Sequence, residues 1–203
     1  LTRRIEQSSA KTVLGQEITA EIIEQSAADA VILASGARPI IPDIPGVNSP
    51  KVITFLDVLL ERVGIGNKVL IVGGGLIGCE TAEFLAGHGK TVTILEMLAQ
   101  IGNDIGLSTR WVILRRLRKS GVTMAANAKV VEITGDGVRA IQGNSSICYK
   151  GDSIVLAVGV ESNSKLLEKL QLEGANVYVA GDYIAPGRIT EAIDGGQRAG
   201  YQL

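Results

Sequence analysis

The stretch "KVLIVGGGLIGCE", residues 68–80, decides the fold of this chain. Its first five residues are mostly aliphatic and predict a buried strand over 68–72. Three glycines interrupt this run, and the apolar residues of 76–87 then recur at roughly helical spacing. A second strand, "TVTILE", follows at 91–96. Strand, helix and strand within about 30 residues predict one βαβ unit of a parallel sheet.

The glycine loop inside this unit fits the pattern G-x-G-x-x-G with Gly73, Gly75 and Gly78. In a dinucleotide-binding loop the first glycine permits a tight turn, the second admits a pyrophosphate and the third lets the helix pack on the strand. The N–H groups near Leu76 and Ile77 would face the phosphates along the helix dipole. A plain turn between strand and helix is the alternative. The flanking strand and helix favour the nucleotide site.

An acidic residue, Glu96, ends the second strand 21 residues after Gly75. A carboxylate at this position can accept hydrogen bonds from both ribose hydroxyls of an adenosine, and it would repel a 2′-phosphate. No Lys or Arg follows before Arg110, so we expect nothing nearby to offset a phosphate. The pattern therefore favours NAD over NADP.

Composition excludes several classes of protein. The chain has 203 residues, 46% of them apolar and 20% charged, with a net charge of −1, which is typical of one large or two small globular domains. This balance offers no electrostatic reason to bind nucleic acid or an anionic membrane. The longest apolar run is broken by glycines and falls short of the ~20 residues of a membrane span. With no signal peptide recognised, we expect a cytoplasmic protein.

Few side chains suggest acid–base or nucleophilic chemistry. Cys79 and Cys148 lie 69 positions apart, and this spacing predicts neither a disulfide framework nor a metal site. Cys79 falls in the first turn of the predicted helix, where a thiol pKa can drop, but inert packing is the favoured interpretation. His88 is the sole histidine, and we expect it to face solvent at a helix end. We therefore predict no catalytic residue and no metal ligand.

The remaining pattern predicts further elements. In chain order these are short alternating strands over 1–22, a buried strand over 30–33, a strand and a helix over 51–63, a helix over 105–119, an antiparallel ribbon over 122–159 that turns at Asp136–Gly137, and a strand and a helix after residue 175. Asp182 ends the last strand directly after Gly181. Its carboxylate can bind sugar-like hydroxyls, and a turn-forming aspartate is the alternative.

Three further landmarks carry a resemblance to a known family. "ASGARP" (34–39) resembles A-T-G-x-x-P, with Ser35 in place of Thr, and "AVGVESNS" (157–164) resembles A-x-G-x-x-x-N, with Asn163. "VYVAGD" (177–182) resembles a flavin-binding strand end. Together with the glycine loop, they resemble the pyridine nucleotide–disulfide oxidoreductases. Residues 73–96 are similar to the carboxy-terminal part of old-yellow-enzyme-fused NADH:flavin oxidoreductases, such as 2,4-dienoyl-CoA reductase, NADH oxidase or trimethylamine dehydrogenase.

This resemblance implies an α/β, Rossmann-like FAD/NAD(P)-binding fold with a parallel sheet and a small antiparallel ribbon. An NAD-binding domain of residues 66–158 would be inserted in a partial FAD-binding domain of residues 1–65 and 159–203. It implies that Asp182 contacts the flavin ribityl chain and that Glu80 lies near the nicotinamide side. The expected cofactor-binding residues are Ala34, Ser35, Gly36, Gly73, Gly74, Gly75, Leu76, Ile77, Gly78, Glu80, Glu96, Met97, Val158, Gly159, Gly181 and Asp182.

The implied function is that of an FAD-dependent NAD(P)H oxidoreductase in which NADH docks at Gly73–Gly78 and passes a hydride to flavin. The family has an earlier G-x-G-x-x-G, which holds the FAD pyrophosphate, in addition to the loop that binds NAD. This sequence contains no second copy of the motif that could be the earlier one. We therefore expect a portion of a longer chain that binds FAD weakly, with upstream flavin-binding or barrel segments of the same polypeptide as partners. Two alternatives stay open: the central part of a thiol–disulfide reductase, whose C-x4-C pair would lie upstream, and a non-catalytic module that binds ADP or NAD.

Overall fold

The computed structural model describes residues 2–163, 166, 170, 176–183 and 185–203, so Ser164 of "AVGVESNS" lies outside the described residues. The chain divides into two compact units. Unit 1 comprises residues 1–36 and 162–203, and unit 2 comprises residues 37–161. Unit 2 is larger than the predicted domain of residues 66–158. The difference arises because residues 37–65 supply a strand and a helix that pack with the glycine loop's own sheet.

The elements have the following bounds. The strands are β1 (Val31–Leu33), β2 (Ala37–Pro39), β3 (Val52–Thr54), β4 (Lys68–Val72), β5 (Thr91–Leu95), β6 (Thr123–Ala125), β7 (Ala128–Thr134), β8 (Gly137–Gln142), β9 (Ser145–Lys150), β10 (Ser153–Leu156), β11 (Val160–Ser162) and β12 (Val177–Val179). The described helices are α1 (Thr2–Glu6), α2 (Ala20–Gln25), α3 (Phe55–Leu59), α4 (Leu76–Gly87), α5 (Leu107–Lys119) and α6 (Ile189–Tyr201). A 3₁₀ turn covers Gly181–Tyr183.

A five-stranded parallel sheet forms the centre of unit 2, with the strand order β3-β10-β4-β5-β6. From β4 the chain moves outward through α4 to β5, and through α5 to β6. It then returns to the other side of β4 as β10. The direction of winding reverses between β4 and β10, and such a switch point leaves a crevice outside the carboxyl ends of the strands.

Alternating side chains of β4 build two cores, one on each face of the sheet. Val69 and Ile71 pack with α3, α4 and α5. Leu70 and Val72 pack with the antiparallel sheet β7-β8-β9. Successive side chains of a strand point to opposite faces, so a continuous aliphatic run is what a strand buried on both faces requires. The predicted βαβ unit over 68–96 is confirmed.

The antiparallel ribbon is shorter than the sequence pattern predicts. β7, β8 and β9 pair antiparallel, and the β7–β8 turn is formed by residues 135 and 136, one position earlier than predicted. β6 and β10, at the two ends of the predicted ribbon, instead join the parallel sheet. The prediction over 122–159 was therefore too long, because alternation within a strand does not reveal which strand will pair with it.

The start of the chain also differs from the sequence prediction. The strands predicted over 1–22 were wrong, because helix α1 occupies residues 2–6, helix α2 begins at Ala20, and the described residues between them form no strand. Thr19 caps α2, where its hydroxyl accepts a hydrogen bond from the Ile22 N–H at 3.4 Å. In unit 1, β1 pairs parallel with β12. Among the described residues, no helix is both long enough and apolar enough to cross a bilayer.

Candidate functional site

A cavity of about 660 Å³ lies in unit 2 at the switch point of the parallel sheet. Its walls come from the residues at the carboxyl ends of β4, β5 and β10. These are Val72 and Gly73, Leu95 to Met97, and Ala157 to Gly159. The start of α4, residues of β7, the segment 40–44 and the loop over 98–104 also contribute to the lining. Crevices of this kind are where open parallel sheets bind their ligands.

Two glycines of the loop are required by backbone packing. Gly73 has φ +105°, and a Cβ there would overlap the carbonyl oxygen of Ala157. A Cβ on Gly78 would overlap the carbonyl oxygen of Gly73. These positions correspond to the tight turn and the close helix–strand contact that the motif requires. The strand, the turn and the helix are therefore locked together through backbone atoms.

The carboxylate of Glu96 holds the glycine loop to the end of β5. Glu96 is 8% exposed. Its Oε2 accepts a hydrogen bond from the Gly74 N–H at 2.6 Å, and its Oε1 accepts one from the Leu98 N–H at 2.7 Å. An ionised carboxylate offers about four lone-pair sites, so acceptor capacity remains for a ribose hydroxyl. The sequence pattern predicted a ribose role for Glu96 and missed this anchoring role.

A cation that sequence spacing missed also lines the cavity. Lys129 belongs to β7, which lies beside the end of β5 because the Ala128 N–H donates to the Glu96 carbonyl oxygen at 2.8 Å. The expectation that nothing nearby offsets a phosphate did not include this lysine, which lines the same cavity as Glu96. No short-range signal could have shown it, since β7 lies in a different sheet from β5.

A second acidic residue, Asp104, lies at the N-terminus of α4. The N-cap of α4 is Gly75, which has no side chain to accept a hydrogen bond. Both carboxylate oxygens of Asp104 instead accept from the Leu76 N–H, at 3.0 and 3.1 Å. Asp104 also lines the cavity. The sequence pattern missed this residue because it lies in an irregular loop 28 positions away from Leu76.

Cys79 is a packing residue of this junction. Its side chain is fully buried, and its thiol donates to the Gly74 carbonyl oxygen at 3.6 Å. Burial is the larger cause, and together with the negative charges of Asp104, Glu80 and Glu96 it raises the pKa of the thiol to about 12. Desolvation therefore has a larger effect on the thiol pKa than the helix N-terminus has, and the interpretation of Cys79 as an inert packing residue is supported.

The predicted cofactor residues fall into three groups. Those that line the cavity are Gly73, Gly75, Leu76, Ile77, Glu96, Met97, Val158 and Gly159. Gly74 and Gly78 are buried beneath the loop, and Glu80 is exposed on α4 outside the set of lining residues. The predicted residues that belong to unit 1 are Ala34, Ser35, Gly36, Gly181 and Asp182.

The parts of the flavin-type landmarks that belong to unit 1 are joined by hydrogen bonds. Residues 34–36 follow β1, and the Gly36 carbonyl oxygen accepts from the Asn163 N–H at 3.3 Å. Ser162 Oγ donates to the Asp182 carbonyl oxygen at 2.9 Å. The Asp182 carboxylate accepts from the Gly187 N–H at 3.1 Å, so it shapes the turn before α6. A Cβ on Gly36 would meet nothing within 4 Å, so this loop has open space beside it.

The parallel sheet, the switch-point cavity and the glycine loop define a dinucleotide-binding α/β protein. Residues 3–196 match the family model for pyridine nucleotide-disulphide oxidoreductases, and the chain belongs to this family. The description of this family names oxidoreductases that act with a pyridine nucleotide.

Relatives with known names agree with this class. The chain is 34% identical over 196 residues to an NADH oxidase of Thermoanaerobacter brockii, and the match covers 93% of this chain and 30% of the relative. It is 33% identical over 200 residues to a metal reductase of Desulforamulus reducens, covering 84% of this chain and 30% of that one. Among solved structures, 2-naphthoyl-CoA reductase superposes with a TM-score of 0.95 at 29% identity, covering 100% of this chain and 31% of that one. The chain thus spans about 30% of the length of these relatives.

Proposed function

We propose that this chain is the pyridine-nucleotide-binding portion of a flavin-dependent oxidoreductase, with NADH docking across Gly73–Gly78. The observation that carries the proposal is the cavity at the switch point, bounded by that loop and by the carboxylate of Glu96. A cavity at the carboxyl ends of parallel strands, with a helix N-terminus at its wall, suits a dinucleotide whose pyrophosphate is anionic.

Each part of the nucleotide has residues suited to hold it. The pyrophosphate would face Gly75 and the N–H groups at the start of α4, and the adenosine ribose would bind Glu96. Met97 and Val158–Gly159 would contact the two ends of the nucleotide. When bound, NADH supplies the hydride and the flavin accepts it. The described lining residues bind and orient the nucleotide, and the cofactors carry the bond chemistry.

The flavin site is proposed to be shared with other parts of the polypeptide. Residues 34–36 and Asp182 lie together in unit 1 and would hold part of FAD. We place the remaining flavin contacts, and a flavin-bearing barrel, in other segments of the same chain. This placement is supported by the 30% coverage of the relatives, and it corresponds to the old-yellow-enzyme-fused branch of the family.

Titration calorimetry with NADH and NADPH tests the nucleotide site. We expect the chain to bind NADH at least about tenfold more tightly than NADPH, because the Glu96 carboxylate would repel a 2′-phosphate. The variant Glu96→Gln removes this charge and one of the two carboxylate acceptors. It should therefore reduce the preference for NADH by about tenfold.

A charge-matched control is Glu83→Gln, which removes one negative charge from α4. Glu83 lies on the outer surface of α4 in an ion pair with Arg116 at 2.8 Å, and it is not a cavity residue. The preference for NADH should be unchanged in this variant. Tighter binding of NADPH by the unmodified chain would contradict the assignment of Glu96. Equal stabilisation by ADP and NADH would favour the non-catalytic module instead.

A further inference from the structure

We infer that Asp104 competes with the pyrophosphate of NADH for the N-terminus of α4, and so sets how tightly the chain binds the nucleotide. This inference rests on the proposed function. The N-terminus of a helix attracts one anion strongly, and a carboxylate or a phosphate can fill that role. In this fold the carboxylate of Asp104 already fills it.

The position of the carboxylate coincides with the space that the glycine motif leaves open. Both oxygens of Asp104 lie within 3.1 Å of the Leu76 nitrogen. A Cβ built on Gly75 would lie 3.1 to 3.4 Å from the same carboxyl group. Gly75 is the glycine whose missing side chain admits a pyrophosphate in such loops. The carboxylate and the pyrophosphate would therefore require the same space and the same donor.

The loop that carries Asp104 is anchored on both sides of it. Ile101 and Ile105 are buried in the core between the sheet and its helices. The Gly102 N–H donates to the Gly74 carbonyl oxygen at 2.6 Å. Asp104 itself is exposed. Its carboxylate can therefore leave the helix terminus by rotation of its own side chain, while the backbone of the loop stays in place.

The charges around the start of α4 oppose an incoming phosphate. Glu80, Glu96 and Asp104 place three carboxylates near this turn, and each of them raises the pKa of the neighbouring Cys79 thiol. Lys129 is the single cation among the described residues that line the cavity. Removing one of the negative charges should therefore strengthen the binding of a phosphate-bearing ligand. The effect should be absent for a ligand that lacks phosphate.

The test is calorimetry on the whole chain with the variant Asp104→Asn. We expect the Kd for NADH and for ADP to fall by about two- to fivefold, the range given by a charge at a helix terminus. Adenosine, which carries no phosphate, should bind both forms equally. Without nucleotide, the variant should melt at a lower temperature, because α4 loses the favourable interaction of its terminus with a carboxylate.

The matched control is Asp152→Asn, which also removes a carboxylate that accepts backbone hydrogen bonds. Asp152 accepts from the N–H groups of Asn67 and Lys68, at 3.1 and 2.8 Å, at the opposite end of β4 from the cavity. The Kd of the Asp152→Asn variant for NADH should equal that of the unmodified chain. If Asp104→Asn does not fold, Asp104→Ser removes the same charge and keeps a hydroxyl acceptor.

The outcomes separate this inference from the proposed function. An unchanged or weaker affinity of the folded Asp104 variant for NADH would contradict the proposed competition. The proposed NADH site would still stand in that case, provided that the unmodified chain binds NADH. An equal gain in adenosine affinity would also overturn it, since the effect would then not involve phosphate. If no folded form binds NADH, the proposed function fails and this inference fails with it.

Discussion

At the scale of single residues, the environment of a side chain decides its chemistry more than its position in a motif does. Cys79 occupies the first turn of a helix, where a dipole would favour a thiolate. In the folded chain it is fully buried and its thiol donates to the Gly74 carbonyl oxygen. Loss of hydration and three nearby carboxylates raise its pKa to about 12. The residue is therefore an apolar packing group.

Thiol modification tests this description of Cys79. At pH 8 we expect a thiol reagent to modify Cys148, which is exposed, and to leave Cys79 unmodified until denaturant is added. Mass spectrometry of the labelled peptides gives the measurement. Labelling of Cys79 in the folded chain at a rate close to that of Cys148 would show that the thiol is accessible and ionised.

The raised pKa of Cys79 also predicts how stability depends on pH. The thiol pKa rises from 9.0 to about 12 on folding. Between these values the unfolded chain loses the thiol proton and the folded chain keeps it. The contribution of this thiol to the free energy of unfolding is therefore complete below pH 9 and is lost as the pH rises toward 12. Urea unfolding of the chain and of Cys79→Ala can be measured across pH 8 to 11. The free energy of unfolding should fall more steeply with pH in the unmodified chain than in the variant.

At the scale of elements, the contact between β4 and α4 depends on two glycines. The helix starts directly over the turn because Gly78 brings its backbone against the Gly73 carbonyl oxygen. This contact places the first residues of α4, with their N–H groups, in the wall of the cavity. A side chain at position 78 would push the helix away from the strand and move those groups.

The variant Gly78→Ala should therefore destabilise the chain by about 1 to 3 kcal/mol, the usual cost of overpacking, and should weaken NADH binding. Urea unfolding and calorimetry measure the two effects. The matched control is Gly87→Ala at the other end of α4, where a Cβ meets nothing within 4 Å. There alanine should stabilise the chain by up to about 1 kcal/mol through helix propensity. Equal effects of the two variants would contradict the packing role of Gly78.

Elements with strong local patterns were predictable, and those defined by distant partners were not. The strand over 68–72, the helix after the loop and the helix ending at Lys119 follow from aliphatic runs and helical spacing. The pairing of β6 and β10 with the parallel sheet was missed, because their short segments show the same alternation as the neighbouring ribbon. Helices α1 and α2 were missed because five or six residues carry little periodic signal.

At the scale of the whole molecule, the proposed NADH cavity and two of the proposed flavin-binding segments belong to different units. The cavity lies entirely in unit 2, and the segments 34–36 and 181–182 belong to unit 1. A ligand stabilises the part of a protein to which it binds. The two sites should therefore respond separately when NADH is added.

Hydrogen exchange measured with and without NADH checks this expectation. Added protection should appear at the amides of 73–78, 96–105 and 157–159, which surround the cavity. The amides of β1 and β12 in unit 1 should exchange at unchanged rates. ADP should reproduce the protection at 96–105, since it carries the ribose that Glu96 would bind. Protection that appears first in unit 1 would place the nucleotide at the wrong site.

The sequence by itself determined the βαβ unit, the glycine loop and the acid at the end of β5, because these depend on residues within about 30 positions of one another. It also placed the chain in its family through four ordered landmarks. Only the tertiary structure decided which groups face the cavity. Lys129 belongs to another sheet, and Asp104 contacts the start of α4 from an irregular loop. Glu96 accepts a hydrogen bond from the glycine loop itself. Such contacts depend on where distant segments of the chain pack, and the local periodicity of the sequence does not predict that packing.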